Sequence, residues 1–254
     1  MNFLRTLLVA AVLATLVPAA SASHAPLWTP HVSAAIAYAK HRRGEIAFAV
    51  RTRSGSWGWR HAVSFRSASV VKAMLLVAYL NEPWVRARPL HRDELRLLSP
   101  MILWSDNRAA SSVFAVVGTG GLRRVAYRSN MRHFTPVEGS WSATGITAAD
   151  QSRFFLRIPK LLPLRHRRYA MHLLGSIVPS QRWGIAGVRP RGWKLYFKGG
   201  WTEEPHWTDH QAALLTRGRR AVSIAILTEG SGSHGYGRAT LRGIAARLLA
   251  GLER

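Results

Sequence analysis

Ser69 and Lys72 stand three residues apart in Ser69-Val70-Val71-Lys72, directly ahead of an apolar run that ends at Leu80. On a helix that spacing puts both side chains on one face. A hydroxyl beside an amine supplies the parts of an acyl-transfer site. The serine attacks a carbonyl carbon, and the lysine takes its proton once burial or a second cation such as Lys198 has lowered the lysine's own proton affinity. With Ser69 at a helix N-terminus, backbone amides and the helix dipole also face the negative charge that develops on the carbonyl oxygen. A solvated lysine on a capped helix has the same spacing, so the pair alone does not decide the chemistry.

Two further segments follow in order. Ser105-Asp106-Asn107 opens a helix and has the residue types of an ordinary N-cap. Lys198-Gly199-Gly200 closes a strand, where a glycine pair lets an edge strand approach an acyl substrate closely. Ser-x-x-Lys, Ser-Asp-Asn and Lys-Thr-Gly are the signature of class A β-lactamases and penicillin-binding proteins. Through these residues the chain resembles the penicillin-recognising serine hydrolases, closest in pattern to class A. Composition sharpens the resemblance: of 36 basic residues only five are lysines, and two of those five are Lys72 and Lys198.

The resemblance implies roles residue by residue. Ser69 is the nucleophile and Lys72 its base, Ser105 relays the proton between Lys72 and the leaving nitrogen, and Asn107 holds a substrate amide. The amides of Ser69 and Trp201 form the oxyanion hole, beside Lys198, Gly199 and Gly200. The implied substrates are β-lactams or the D-alanyl-D-alanine end of a peptidoglycan stem peptide, with no cofactor and no metal. The sequence departs from the pattern twice. Gly199 stands where the family has Thr or Ser, which removes the hydroxyl that meets a substrate carboxylate and leaves Thr202 as the nearby substitute. The carboxylate that activates the deacylating water falls on Glu138, in the loop from Thr135 to Gly145. There the family's Glu-x-x-x-Asn reads Glu138-Gly-Ser-Trp-Ser142, and the helix from Thr147 follows too soon. The competing reading is a penicillin-binding-like protein, weakly catalytic or non-catalytic, that binds the cell wall.

The elements that position these residues read as follows. His31 to Arg42 is an amphipathic helix, Glu45 to His61 a β-hairpin, and Ser69 to Leu80 a mostly buried helix. From Leu90 to Leu174 no strand is expected. Helices are expected at Asp93 to Leu103, Asn107 to Val117, Gly121 to Ser129, Thr147 to Ile158 and His166 to Leu174. Strands return at Trp193 to Gly199, His210 to Leu215 and Ala221 to Thr228, before a last helix at Arg238 to Leu252. This order matches the β-lactamase fold. The fold class is α+β: an αβα sandwich with a five-stranded antiparallel sheet (23–64 and 190–254) and an inserted all-helical lobe (65–189).

Bulk properties bound the rest. Arg5, the apolar stretch from Leu7 to Val17 and Ala20-Ser21-Ala22 form an export signal, residues 1–22, cleaved near Ala22, so the mature chain is expected outside the cytoplasm. With no cysteine, the exported domain depends on its core and not on disulfides. A formal charge of +24 invites a nucleic-acid partner. The arginines are scattered from Arg42 to Arg254, however, and the tryptophans read as walls of core and cleft, so an anionic cell-envelope surface is the expected neighbour and nucleic acid is not. His206 and His210 are four apart but lie on a loop entering a strand, where that spacing does not suit zinc. The domain is expected to be a monomer.

Overall fold

The computed structural model describes residues 28–253; residues 1–22, expected to be an export signal, lie outside them. The chain opens with α1 (Val32–Lys40) and the hairpin β1 (Glu45–Arg51) and β2 (Ser56–Trp59), followed by the short β3 (Ser64–Arg66). Helices α2 (Lys72–Leu80), α3 (Pro83–Arg86), α4 (Arg92–Leu103) and α5 (Asn107–Arg128) come next. Then follow β4 (Thr135–Val137), β5 (Ser140–Thr147), α6 (Ala148–Leu161) and α7 (Leu164–Gly175). The chain closes with β6 (Lys194–Thr202), β7 (Thr208–Arg217), β8 (Arg220–Glu229) and α8 (His234–Leu248).

The main sheet is five-stranded and antiparallel in the order β2-β1-β8-β7-β6, so the N-terminal hairpin joins the late strands as expected. Side-chain alternation sorts the helices onto its two faces. Asp209 on β7 meets His234 of α8, whereas Ser223, cross-strand from Leu214, bonds the Ser152 carbonyl of α6 at 2.6 Å. Positions 209 and 214 differ by an odd number, so α8, which carries α1, covers one face and α6 the other. Every residue of α2 is buried, which fits the apolar run that follows Lys72.

One segment corrects the expectation. The stretch from Leu90 to Leu174 contains β4 and β5, which form a second, three-stranded sheet with β3 in which β5 is central. Ser140-Trp-Ser-Ala-Thr-Gly-Ile-Thr alternates weakly, and its partner β3 lies far away in sequence, so nothing local marks it as a strand. Two boundaries are also informative. Gly118, at φ 56°, breaks α5 where two helices were expected. The last helix starts a turn earlier than expected because Ser233 accepts a hydrogen bond from the Tyr236 amide, and because Gly237, lacking a Cβ, leaves room for the Asp209 carboxylate.

Candidate active site

Ser69 lies in a 3-10 turn, Ala68–Val71, that leads into α2. The turn is strained and tied down. Ala68, immediately before the serine, has φ 45°, a left-handed conformation that costs a non-glycine residue on the order of 1 kcal/mol or more. The Ser67 amide donates to the Thr144 carbonyl at 2.8 Å, and the buried Ser67 hydroxyl lies within hydrogen-bond distance of the Trp141 and Ser142 carbonyls. Strand β5 therefore fixes the Ser69 turn from outside.

The three sequence segments converge on the Ser105 hydroxyl. Lys72 Nζ donates to the Ser105 carbonyl at 2.5 Å, to Asn107 Oδ1 at 2.7 Å and to Ser105 Oγ at 3.2 Å. Lys198 Nζ donates to the same Oγ at 3.0 Å and to the Gly199 carbonyl at 2.9 Å. Ser105 is itself held at φ 63°, a second left-handed residue in the site. Both lysines are wholly buried. Burial lowers the pKa of Lys72 to about 7, opposed by the Asp106 charge. Burial and then the neighbouring Lys72 push Lys198 well below the ordinary lysine value. A hydroxyl between two amines of weakened proton affinity is suited to pass a proton. Ser69 Oγ has no hydrogen bond to Lys72 among the described residues; the ammonium is turned to Ser105 and Asn107.

The Lys198 strand is the free edge of the main sheet and runs past the Ser69 turn. A Cβ at position 200 would lie 2.7 Å from the Ser69 nitrogen and 2.8 Å from that of Val70, so only glycine lets β6 come this close. Gly199 faces the opposite side, against the Trp183 ring, where a Cβ would sit at 3.2 Å. Trp183 thus occupies the space into which a Thr or Ser at 199 would project. Trp201 packs edge-on against Trp183 at 6.2 Å, and Thr202 Oγ1 is buried without a hydrogen-bond partner.

The structure does not bring Glu138 into this cluster. It is exposed at the β4–β5 turn, where it accepts a hydrogen bond from the Thr119 hydroxyl. The reason is the unexpected strand pair: the segment is zipped onto β3 as a hairpin instead of lying open across the cleft. Among the described residues no carboxylate is hydrogen-bonded to Ser69, Lys72, Ser105 or Lys198. Asp106 caps its own helix through the Ala109 amide, and the other partnered acids serve arginines, histidines or backbone amides elsewhere.

Trp141, expected only as one of the tryptophans that wall core and cleft, lies against Lys72. Its ring centroid lies 4.7 Å from Lys72 Nζ, and its indole N–H donates to Ser111 Oγ at 3.2 Å. Its position over Lys72 follows from β5, in which it immediately precedes Ser142-Ala-Thr-Gly145. His206 pairs with Glu229 at 3.0 Å, whereas His210 is buried between the Thr228 amide and the Arg66 carbonyl, so the two histidines serve separate structural purposes. The Thr228 amide donates to Nδ1, which makes Nε2–H the donor to Arg66. Burial lowers the His210 pKa to about 4, keeping the ring neutral.

Comparison with known proteins bears on the family and the fold. Residues 89–252 match the model of the Beta-lactamase enzyme family. That span begins after Lys72 and so includes neither Ser69 nor Lys72. Among solved structures, TLA-3 extended-spectrum beta-lactamase superposes with a TM-score of 0.74 at 11% identity, covering 88% of this chain and 98% of that one. A beta-lactamase from Sphaerobacter thermophilus gives 0.72 at 18% identity, covering 87% and 97%. One from Xanthomonas campestris pv. campestris gives 0.71 at 16%, covering 85% and 94%. At these identities the likeness is one of fold. No curated protein matches the chain.

Proposed function

The chain belongs to the beta-lactamase enzyme family, and from that premise we propose that it is an exported serine hydrolase that is readily acylated at Ser69 and slowly released. The observation that carries the reading is the Ser105 hydroxyl, hydrogen-bonded to two buried lysines with no carboxylate touching the group. In the acylation step the Ser69 Oγ–carbonyl carbon bond forms and the carbon–nitrogen bond of a β-lactam or a D-alanyl-D-alanine peptide breaks. The Ser69 proton passes to neutral Lys72 and on through Ser105 to the leaving nitrogen, while the amides of Ser69 and Trp201 receive the oxyanion. Asn107 spends its Oδ1 on Lys72 and keeps its Nδ2 for a substrate carbonyl. The unpartnered Thr202 hydroxyl, with Lys198, receives a substrate carboxylate in place of the group missing at Gly199.

Hydrolysis of the resulting ester needs a base for water, and Glu138 is engaged elsewhere. This favours a long-lived acyl-enzyme, the behaviour of a penicillin-binding protein, over rapid β-lactam turnover. Export through residues 1–22 belongs to the same proposal, because stem peptides lie outside the cytoplasm. Intact-mass measurement after mixing with benzylpenicillin tests it. Wild type should gain one penicillin mass and Ser69→Ala none. A Ser69→Ala protein that still gains the mass contradicts the assignment. A wild type that gains none points to the second reading, a non-catalytic cell-wall binder, which the Trp183 ring packed against Gly199 favours.

A further inference from the structure

The arginines are scattered in sequence but not in space. A cavity of about 810 Å³ lies outside the Ser69 site, where the ends of β1, β7 and β8 meet α6. Nine of its eighteen lining residues are basic and none is acidic. They come from four separate stretches of chain: Arg51 and Arg53 around the end of β1, Arg128 and Arg132 at and beyond the end of α5, Arg153, Arg157 and Lys160 on α6, and Arg219 and Arg220 around the β7–β8 turn. The floor is aliphatic, supplied by Leu156, Leu161 and Leu214.

Like charges gathered in this way repel, and the fold leaves four of them without a partner among the described residues. Asp150 is the adjacent carboxylate, and it is committed to the Arg132 and His133 amides and to Arg153. The guanidinium groups of Arg53, Arg132, Arg157 and Arg219 make no hydrogen bond or ion pair within the described residues. Arg51 Nε is buried with no partner, and burial together with Arg153, Arg157 and Arg132 lowers the pKa of Arg51. Charges held close together at such a cost are stabilised by an anion between them. Arginine forks match phosphate oxygens in pairs.

We propose that this cavity binds a ligand carrying two or more linked phosphate groups. The volume suits a small molecule. No aromatic or histidine lines it, so it lacks the stacking platform that single-stranded nucleic acid uses. The ligand's charge is held by Arg53, Arg132 and Arg157, and any hydrocarbon attached to the phosphates lies on the leucine floor. The site is separate from Ser69, and its occupation does not depend on acylation.

Calorimetric titration at 0.15 M salt with inorganic pyrophosphate, sodium sulfate and geranyl diphosphate tests this. Pyrophosphate should bind at one site with a Kd at least tenfold below that of sulfate, and should raise the melting temperature of the wild-type protein. The double variant Arg132→Gln/Arg157→Gln should weaken binding at least tenfold while leaving penicillin acylation unchanged. Arg191→Gln/Arg242→Gln, an equal loss of charge on exposed arginines outside the cavity, should leave binding intact. Geranyl diphosphate binding more tightly than pyrophosphate would identify a lipid-linked diphosphate as the source, and equal binding a free one. Equal loss in both double variants, or pyrophosphate no better than sulfate, would reduce the cavity to diffuse charge and overturn the proposal. So would a single-stranded oligonucleotide that displaces pyrophosphate at lower concentration.

Discussion

The molecule gathers cations in two places and treats them in opposite ways. At the Ser69 site the cations are lysines, both wholly buried, and burial draws their pKa values down until Lys72 is half-neutral near pH 7. At the β1–α6 cavity nearly all are arginines, mostly exposed, and a guanidinium stays charged. Neither place has a carboxylate of its own in contact with its free cations. What separates a base from an anion trap here is thus the choice of side chain and its access to water, not the sign of the local charge. A chain with 36 basic residues and five lysines spends two of the five where a proton must be removable.

The comparison predicts the largest effects where side chain and depth are mismatched. Lys72→Arg keeps the charge but cannot release a proton, so the single-turnover acylation rate should fall by roughly 10³ or more. Lys72→Met, apolar and of similar length, should fall as far; an arginine variant that acylates within tenfold of wild type would remove lysine's role as base. Next is Gly200→Ala, whose Cβ would collide with the Ser69 and Val70 amides. Displacing one oxyanion donor costs about 10² in rate. Gly199→Ser meets only the Trp183 ring and should change acylation by less than about fivefold, the worth of one hydrogen bond. Equal losses at 199 and 200 would show that the strand's approach to Ser69 is not what Gly200 permits.

Smaller effects come from tuning. Acylation should rise with pH through an apparent pKa near 7 as Lys72 loses its proton, and stopped-flow rates across pH 5 to 9 would show it. Asp106→Asn keeps the helix cap but removes the charge that raises the Lys72 pKa, so the limb should move to lower pH. A shift to higher pH would mean that another group controls the profile. Smallest of all, Arg157→Gln should relieve repulsion on Arg51 and leave stability unchanged or higher by about 0.5 kcal/mol, an effect that added salt should erase. A clear drop in melting temperature would show that Arg157 has a structural partner.

The two places also differ in how legible they were. Ser69, Lys72, Ser105, Asn107 and Lys198 were readable because each sits in a short motif whose residue types the chemistry demands. The main sheet was readable because its strands carry apolar runs bounded by turns. The β3–β5–β4 sheet was not, since β5 pairs with the distant β3 on one side and on the other with β4, a three-residue strand carrying a proline and a register shift, and with it went the position of Glu138 and the place of Trp141 over Lys72. The arginine cavity was hidden for the same reason. Arg51, Arg132, Arg157 and Arg219 are far apart in sequence, and only the packing of α6 on β1 and β8 brings them together.

The central claim, acylation by a lysine-flanked serine without a carboxylate to finish the reaction, is tested most directly by the lifetime of the acyl adduct. Wild type and Glu138→Ala would be loaded with penicillin, freed of excess and followed by intact mass over hours. The structure predicts adducts that persist for many minutes and decay at the same rate in both proteins, because Glu138 is bonded to Thr119 and not to the site. A wild-type adduct lost within seconds, together with a Glu138→Ala adduct that endures, would contradict the account.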